Sequence, residues 1–554
     1  MNNSPKTDAL VIGAGPTGLA MATDLLRHGL KIRIIDLADK ASNLSKATTI
    51  MPRTLEEFQL RGLHERTIGL GKIMRGFSAF YHGQIIFKAD YDRISSDFNY
   101  LVNIPQCDVE LVLREELERL GGNIEWGVTL TDFKDHGDRV EAKLTHADGK
   151  MEELEVPWLL GCDGAHSVVR KELGLEFHGK AYKDTWLLAD LNVDWKFTAE
   201  SSYSFFSEDG VLAIFPMPKG RHRIYILQTL KHQLGRDPTF NDIVDAVERI
   251  APGLCKLSKP DWMAEFKCHH RKVKNYRKKN GRVFIGGDAA HIHSPETGLG
   301  LNTGIQDSFN LAWKLASVHQ DKAPFSLLDT YDLERSDVGK QVVKLSDVTH
   351  KMTAQFSAVG SMIRSRMWRI FSHHIHLHYE KFEDGLQLRV LYKANHFVEN
   401  HGKVDHFRRE ELPKMIAGAR CLEAKLLPPD AKTDKKQFIR LYDHLDPKCH
   451  QLMFMAGPDN SKKTLACIRE LIALTDPIRD QVKVLIVLAR QDMDGYEDIQ
   501  ATVLLDPTHH FHHHYGAETG ALFVVRPDSY IGFSSRPIES KKVSKYLKSL
   551  FTDL

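Results

Sequence analysis

The chain has 554 residues, too many for one hydrophobic core, so two to four domains are expected. Its 75 basic and 73 acidic side chains leave a formal charge of +2, which excludes partners recruited by a global field, such as nucleic acid or an anionic membrane. Seven cysteines without a CxxC pair exclude a disulfide framework, and no apolar run approaches the roughly 18 residues of a membrane span; with no signal-peptide pattern in MNNSPKTDALVIGAG, a cytoplasmic protein is expected.

In chain order, residues 8–12 (DALVI) read as a short buried strand. GAGPTG follows, with Gly13, Gly15 and Gly18 around Pro16 and Thr17, and Leu19, Ala22, Leu25 and Leu26 continue at helical spacing. A second strand, KIRIID, ends in Asp36. Gly13 permits a tight turn, Gly15 lets the backbone approach a pyrophosphate, and Gly18 lets helix and strand pack closely. The helix N-terminus offers unpaired N–H groups to phosphates, and Asp36 would accept hydrogen bonds from ribose hydroxyls. This unit predicts an adenine dinucleotide, either FAD or NAD.

At 158–170, WLLGCDGAHSVVR reads as a strand, then Asp163-Gly164, then a helix start with Ser167 and Arg170. Residues 203–228 read as strands rich in β-branched and aromatic residues, joined by a Pro-Lys-Gly turn. KCHHRKVKNYRKKN at 267–280 is the densest positive run. RVFIGGDAAHIHSPETGLGLN then gives a strand ending in Gly286-Gly287-Asp288, a glycine loop, and the helical pattern TGIQDSFNLAWKLA. SMIRSRMWRIFSHHIHLH after 350 reads as helix packed on the preceding domain, with membrane-surface binding as the competing reading. Beyond 411, KVLIVLA reads as a buried strand, ALFVVRPDSYIGFSS as a hairpin, and SKKVSKYLKSLF as a closing helix. HHFHHH at 509–514 reads as a packed or solvated loop, with metal as the alternative.

Taken together, in this order and at these separations, the three glycine-containing motifs resemble those of the group A flavoprotein monooxygenases, typified by para-hydroxybenzoate hydroxylase and phenol hydroxylase. The resemblance runs the whole chain and selects FAD. It implies an α/β fold: a Rossmann-type (GR2-like) FAD-binding domain from 1–75, 105–178 and 275–350, and an interleaved substrate-binding sheet from 76–104 and 179–274. A helical connector (351–410) and a thioredoxin-like domain without CxxC (411–554) would complete it. By the same resemblance Asp288 meets the ribityl chain, with Gly287 before it, and Pro295, Gly298, Gly300, Leu301 and Asn302 lie against the flavin ring. Asp163 belongs to a motif tied to both FAD and nicotinamide binding, and Gln106 touches FAD at a helix start. Lys46-Ala47 stands where many members have Arg-Ala near the pyrophosphate, a departure that keeps the charge but loses the bidentate fork. Glu296 in the glycine loop is unusual for the family. Arg53 either anchors its helix or contacts the cofactor.

The implied activity is hydroxylation of a small, aromatic or phenolic compound. NADH or NADPH reduces FAD transiently, O2 adds at the flavin C4a position, and the distal oxygen passes to substrate. Another FAD-dependent oxidoreductase and a non-catalytic flavoprotein adaptor are the alternatives. Tyr203, Phe205, Phe215, Met217 and Tyr225 are candidates for the substrate wall, against an ordinary role as sheet core. No catalytic base is assigned; His82, His222 and Tyr225 are the candidates considered. The positive run, through Lys272, Lys274 and Lys278, either attracts the anionic nicotinamide cofactor or is a solvated connector. A homodimer is left open.

Overall fold

The structure is a computed structural model that describes residues 7–42, 47–228, 232–293, 298–355, 379–402, 415–429, 438–457, 462–490, 493 and 495–554. Its first layer is a five-stranded, all-parallel sheet ordered Val283–Ile285, Trp158–Gly161, Ala9–Ile12, Ile32–Asp36, Ile124–Trp126. Ala9–Ile12 is buried along its length, as a strand covered on both faces must be. Helix Pro16–Arg27 packs on helix Gly300–His319, which is buried almost throughout. That helix begins at Gly300, three residues before the apolar periodicity becomes visible in the sequence. Strand His291–Ile292 interrupts the expected glycine loop, pairing with Lys272 and Arg271.

An eight-stranded sheet stands over this layer. Its order is His291–Ile292, Lys256–Val273, Phe177–Asp194, His222–Gln228, Gly210–Pro216, Ser201–Ser207, Gly76–Tyr81, Gln84–Asp90. Strand alternation gives it two apolar faces. Leu187, Ala189, Leu212, Ile224 and Ile226 pack under the amphipathic helix Phe240–Ile250. Trp186, Leu188, Phe206, Tyr225 and Leu227 face Met51, Leu299, Val338 and Val342. The basic run joins this sheet and splits. Lys272 Nζ donates to Ser336 Oγ at 2.7 Å, while Arg277 pairs with Asp329 and lies over the Phe284 and Phe325 rings.

The C-terminal part is a six-stranded sheet ordered Glu399–Gly402, Ile531–Arg536, Ala521–Val525, His450–Ala456, Val482–Leu488, Thr502–Leu505. Helices Lys462–Thr475 and Ser540–Leu550 pack together on it. The stretch 361–378, read from sequence as helix, lies outside the described residues. No described helix is long and apolar enough to cross a membrane.

Buried charge joins this last part to the first. Glu334, on helix Asp329–Gln355, accepts from Arg526 Nη1 and Lys314 Nζ, both at 2.7 Å, and Arg526 also pairs with Asp528. Nearby, helix Pro52–Leu60 is buried on every side despite carrying Arg53, Glu56 and Glu57. Arg53 bonds Glu56, Glu57, the Asp528 carbonyl and Ser529, so it anchors the hairpin turn. Arg420 reaches Glu56 at 2.8 Å, and Arg61 grips Asp24 through two 2.8 Å bonds. Each charge is held by partners on another element, so removing one strands the rest.

Burial alone would raise the Glu334 carboxyl, but Arg526 and Lys314 outweigh it and hold it down at about 2. Its stabilising contribution is therefore complete above its ordinary value near 4.5 and is lost as pH falls toward about 2. Arg526→Ala is expected to lower stability by about 3–5 kcal/mol in denaturant unfolding. The variant's stability should also fall less steeply than the parent's between about pH 5 and pH 2.

Candidate functional site

The sequence motifs meet at one edge, because each follows the carboxyl end of a parallel strand: Gly13 after Ile12, Asp36 closing its strand, Asp163 after Gly161, and Gly286–Asp288 after Ile285. That edge is where open parallel sheets bind ligands. Gly13 takes φ +99°, and a Cβ there would lie 2.5 Å from the Cys162 carbonyl oxygen. A Cβ on Gly18 would lie 1.8 Å from the Gly13 oxygen. Over Gly15 nothing lies within 4 Å, so that face of the turn is open. Pro16 starts the helix, whose first turn carries no acid to compete for an anion.

Thr17 is a spacer. Its Oγ1 would sit 2.4 Å from a Cβ on either Gly287 or Gly304, and its carbonyl accepts the Ser308 hydroxyl at 2.8 Å. The Asp36 carboxylate accepts the Ala14 N–H at 2.7 Å and the Ala38 N–H at 2.9 Å, which fixes the glycine turn against its strand. Asp163 Oδ2 accepts the Val169 N–H, whereas its buried Oδ1 has no partner among the described residues. Burial pushes this carboxyl above its ordinary range. Gln106 opens helix Gln106–Arg119 and exchanges two 3.2 Å bonds with Ala47; Lys46 lies outside the described residues. Asp288 is exposed between buried Gly287 and Ala289.

The other end of the site is built by Asn302 and Asp307. Asn302 is fully buried, donating to the Thr49 and Gly298 carbonyls and accepting the Met51 N–H, each at 2.9 Å. Its side chain is thus consumed in stapling loop 47–51 to the helix start, and only its main-chain N–H can face a ligand. Gly298 takes φ +63°, and the N–H groups of Gly300, Leu301 and Asn302 open a helix with no acid in its first turn. Pro295 and Glu296 lie outside the described residues. Asp307, unnoticed in the sequence because it sits in an apolar helical pattern, holds the Gly287 N–H at 3.1 Å, His291 Nε2 at 2.7 Å and Arg335 Nε at 2.6 Å. Burial opposes its charge, and Arg335 and His291 overcome that and lower its pKa.

The sheet's inner face closes the site. Of the wall candidates, Tyr203 and Phe205 belong to the outer face, Met217 is buried at a turn, and Phe215 and Tyr225 face inward with their rings 5.4 Å apart. Sequence reasoning missed Trp186, Trp262, Phe266 and Phe77, because strand register decides which aromatics share a face. The Tyr225 hydroxyl meets Thr48 Oγ1 at 2.9 Å. Arg223, gripped by Asp190 through two 2.6 Å bonds, donates to the Ala47 carbonyl. Loop 47–51 is therefore clamped between the sheet and Asn302.

His222 points to the outer face against Trp195, and burial lowers it to about 4. His82 sits exposed at a hairpin tip beside Glu208. A surface cleft of about 480 Å³ has Lys272, Lys274, Lys340, Lys393, Asp332 and Asp337 among its lining residues. In the histidine run, buried His512 is held by Asp506 and the Ala456 carbonyl, and no metal-holding cluster occurs among the described residues.

Residues 6–346 match the family model described as an FAD binding domain. The 6-methylpretetramide 4-monooxygenase of Streptomyces rimosus is 38% identical over 362 residues, which are 63% of this chain and 63% of that enzyme. The match thus spans less than two thirds of that relative's length. The pentachlorophenol 4-monooxygenase of Sphingobium chlorophenolicum is 28% identical over 527 residues, 94% of this chain and 92% of that enzyme. Among solved structures, OxyS anhydrotetracycline hydroxylase from Streptomyces rimosus shares 25% identity with a TM-score of 0.74, covering 99% of each chain.

The open face of Gly15, the partnerless Asp163 oxygen and the acid-free helix starts fit a dinucleotide such as FAD. A methyl group at position 15 would meet no protein atom and only what binds there. Gly15→Ala is expected to cost the fold no more than about 1 kcal/mol. The same change should weaken FAD binding at least ~10-fold by holding the pyrophosphate off the main-chain N–H groups. Thermal unfolding of the flavin-free protein and a flavin titration separate the two effects.

Proposed function

The chain belongs to the FAD-binding-domain family, and from that premise we propose that it is an FAD-dependent monooxygenase that hydroxylates an aromatic compound, using NADH or NADPH and O2. One observation carries the reading: beside the carboxyl-end edge of the parallel sheet, loop 47–51 meets a second sheet whose facing side chains are predominantly aromatic and aliphatic. A small aromatic ligand suits such a wall. Bound and reduced FAD would supply the activation of oxygen.

The chain's own residues do the rest. The turn Gly13–Gly18 and helix Pro16–Arg27 hold the diphosphate, Asp36 and Asp288 take hydroxyl groups, and Asp163 Oδ1 accepts a further donor. The helix start at Gly300–Asn302 stabilises negative charge on the ring. The sheet's inner face keeps water from the reacting atoms. Tyr225 and Thr48, hydroxyl to hydroxyl where loop 47–51 meets the sheet, are the pair suited to holding or passing a substrate proton.

We read the C-terminal strands 482–488, 450–456, 521–525 and 531–536, with helices 462–475 and 540–550, as a thioredoxin-like unit, a reading that their adjacency in this order supports. Without CxxC they have no basis for disulfide exchange, and their role is structural, through Arg526 and Asp528. A cytoplasmic location goes with the reduced cofactor this reading needs.

Protein purified with FAD should consume NADH or NADPH faster when a suitable phenol is added. Mass spectrometry with ¹⁸O2 should find one labelled oxygen in the product. Stimulated consumption with no label in any product would overturn the hydroxylase reading in favour of another flavin oxidoreductase. For the reductant, we propose approach along the cations of 267–280. Neutralising Lys272, Lys274 and Lys278 to Gln is then expected to raise its apparent KM several-fold and flatten the salt dependence; an unchanged KM and salt dependence would remove that role.

A further inference from the structure

Helix Asp329–Gln355 has two working faces. Val338 and Val342 pack toward the covering sheet, whereas Leu333, Ser336, Asp337 and Lys340, spaced by three and four residues, line the surface cleft of about 480 Å³. The strand end Lys272–Lys274 and the segment 393–395 form its other sides. Three stretches far apart in sequence thus each bring lysine to one hollow, of a size that suits a small ligand.

The lysines are held, not merely scattered. Gly339 lets the helix press on the strand end: a Cβ there would strike the Tyr276 hydroxyl and lie 3.4 Å from Lys272 Cε. The Lys272 side chain is half-buried as a result, its ammonium 5.4 Å from the Tyr276 ring centroid. Two of its three N–H groups go to the Val273 carbonyl at 2.9 Å and Ser336 Oγ at 2.7 Å, which leaves one for the cleft. Ser336 Oγ donates in turn to the Lys274 carbonyl at 3.0 Å, so strand end and helix are locked together. Lys393 stands on a turn closed by Asn395, which accepts the Phe397 N–H at 2.8 Å and donates to the Lys393 carbonyl at 3.1 Å.

The carboxylates nearby are largely committed elsewhere. Glu334 turns inward to Arg526 and Lys314, Asp332 accepts the Tyr276 N–H at 2.6 Å, and Asp337 pairs with Lys393 at 3.1 Å. Lys274 and Lys340 form no ion pair among the described residues. An excess of positive charge therefore faces the hollow. Burial lowers the Lys272 ammonium below its ordinary value, so an anion at its remaining N–H would stabilise the charged form.

We propose that this cleft binds a phosphate group. A doubly charged tetrahedral anion meets ammonium groups from several directions at once, whereas a carboxylate offers one charge in one plane. Lysine serves such a group as a compact point charge. Two sources carry it, the nicotinamide cofactor and a separate phosphate ester, and the chemistry of recognition is the same for both. Bound there, the anion would tie the strand end, the helix that holds Asp307 through Arg335, and the 393–395 turn into one unit. Such binding needs no turnover and is independent of the hydroxylase reading.

The test uses the FAD-loaded full chain, so that the dinucleotide edge is filled, with inorganic phosphate and ADP as probes. Calorimetric titration at constant ionic strength is expected to show binding that chloride does not reproduce. Lys340→Gln should weaken it about three- to tenfold, and Lys340→Arg, which keeps the charge, should retain it. Asp337→Asn should tighten it about threefold, a gain that no folding defect can produce. A rise in the reductant's apparent KM with ADP, at unchanged kcat, would support the site and assign its phosphate to the nicotinamide cofactor. Binding that leaves this KM unchanged would support the site and assign it to a separate ester. No binding of either probe beyond the chloride control, or Lys340→Gln and Asp337→Asn variants that bind as the parent does, would overturn the proposal.

Discussion

The site depends on a single buried carboxylate. Asp307 sits inside a buried helix, with no exposure, and is tolerable there only because Arg335, His291 and the Gly287 N–H surround it. Those partners come from helix Asp329–Gln355, strand His291–Ile292 and the turn that carries Asp288. Asp307 therefore sets the spacing between the carboxyl-end edge of the parallel sheet and helix Asp329–Gln355. Removing one partner from such an assembly costs several kcal/mol, about what a whole domain has to spare. Thr17 works from the opposite side by contact alone, filling the space that Gly287 and Gly304 leave.

The glycine turn was legible because it is local. A strand, three glycines, a helix and an acid fall within thirty residues, and each glycine answers a contact visible at that scale: Gly13 to Cys162, Gly18 to Gly13, and Gly15 to open space. The Asn302 end was half legible. Gly298 and Gly300 announce a loop, but Asn302, named as a ligand contact, spends its side chain on Thr49, Gly298 and Met51. A polar residue opening a buried helix has two readings from sequence, and the presence of loop 47–51 decides between them.

The walls were not legible. Tyr203 and Tyr225 are the same residue in strands of one sheet that flank a common neighbour, yet they face opposite sides, and nothing in composition separates them. His222 and Arg223 are neighbours, and alternation sends the histidine to the outer face and the arginine toward Ala47. The charged helix PRTLEEFQL was harder still. Arg53 left two readings open, helix anchor or cofactor contact, and only partners more than 350 residues away, Arg420 on Glu56 and the Asp528–Ser529 turn on Arg53, decide for the anchor.

Those distant partners bear on how the chain matures. A ribosome delivers the dinucleotide-binding strands first, yet Glu56 waits for Arg420, 364 positions later, and Glu334 for Arg526, 192 positions later. Until then the early half carries carboxylates that cannot be buried without cost, so it cannot close fully around its own core. The hairpin that carries Arg526 and Asp528 thus acts as a keystone. Closure of the cofactor-binding part is tied to the arrival of that hairpin, and a chain that stops short of it is left open to proteolysis.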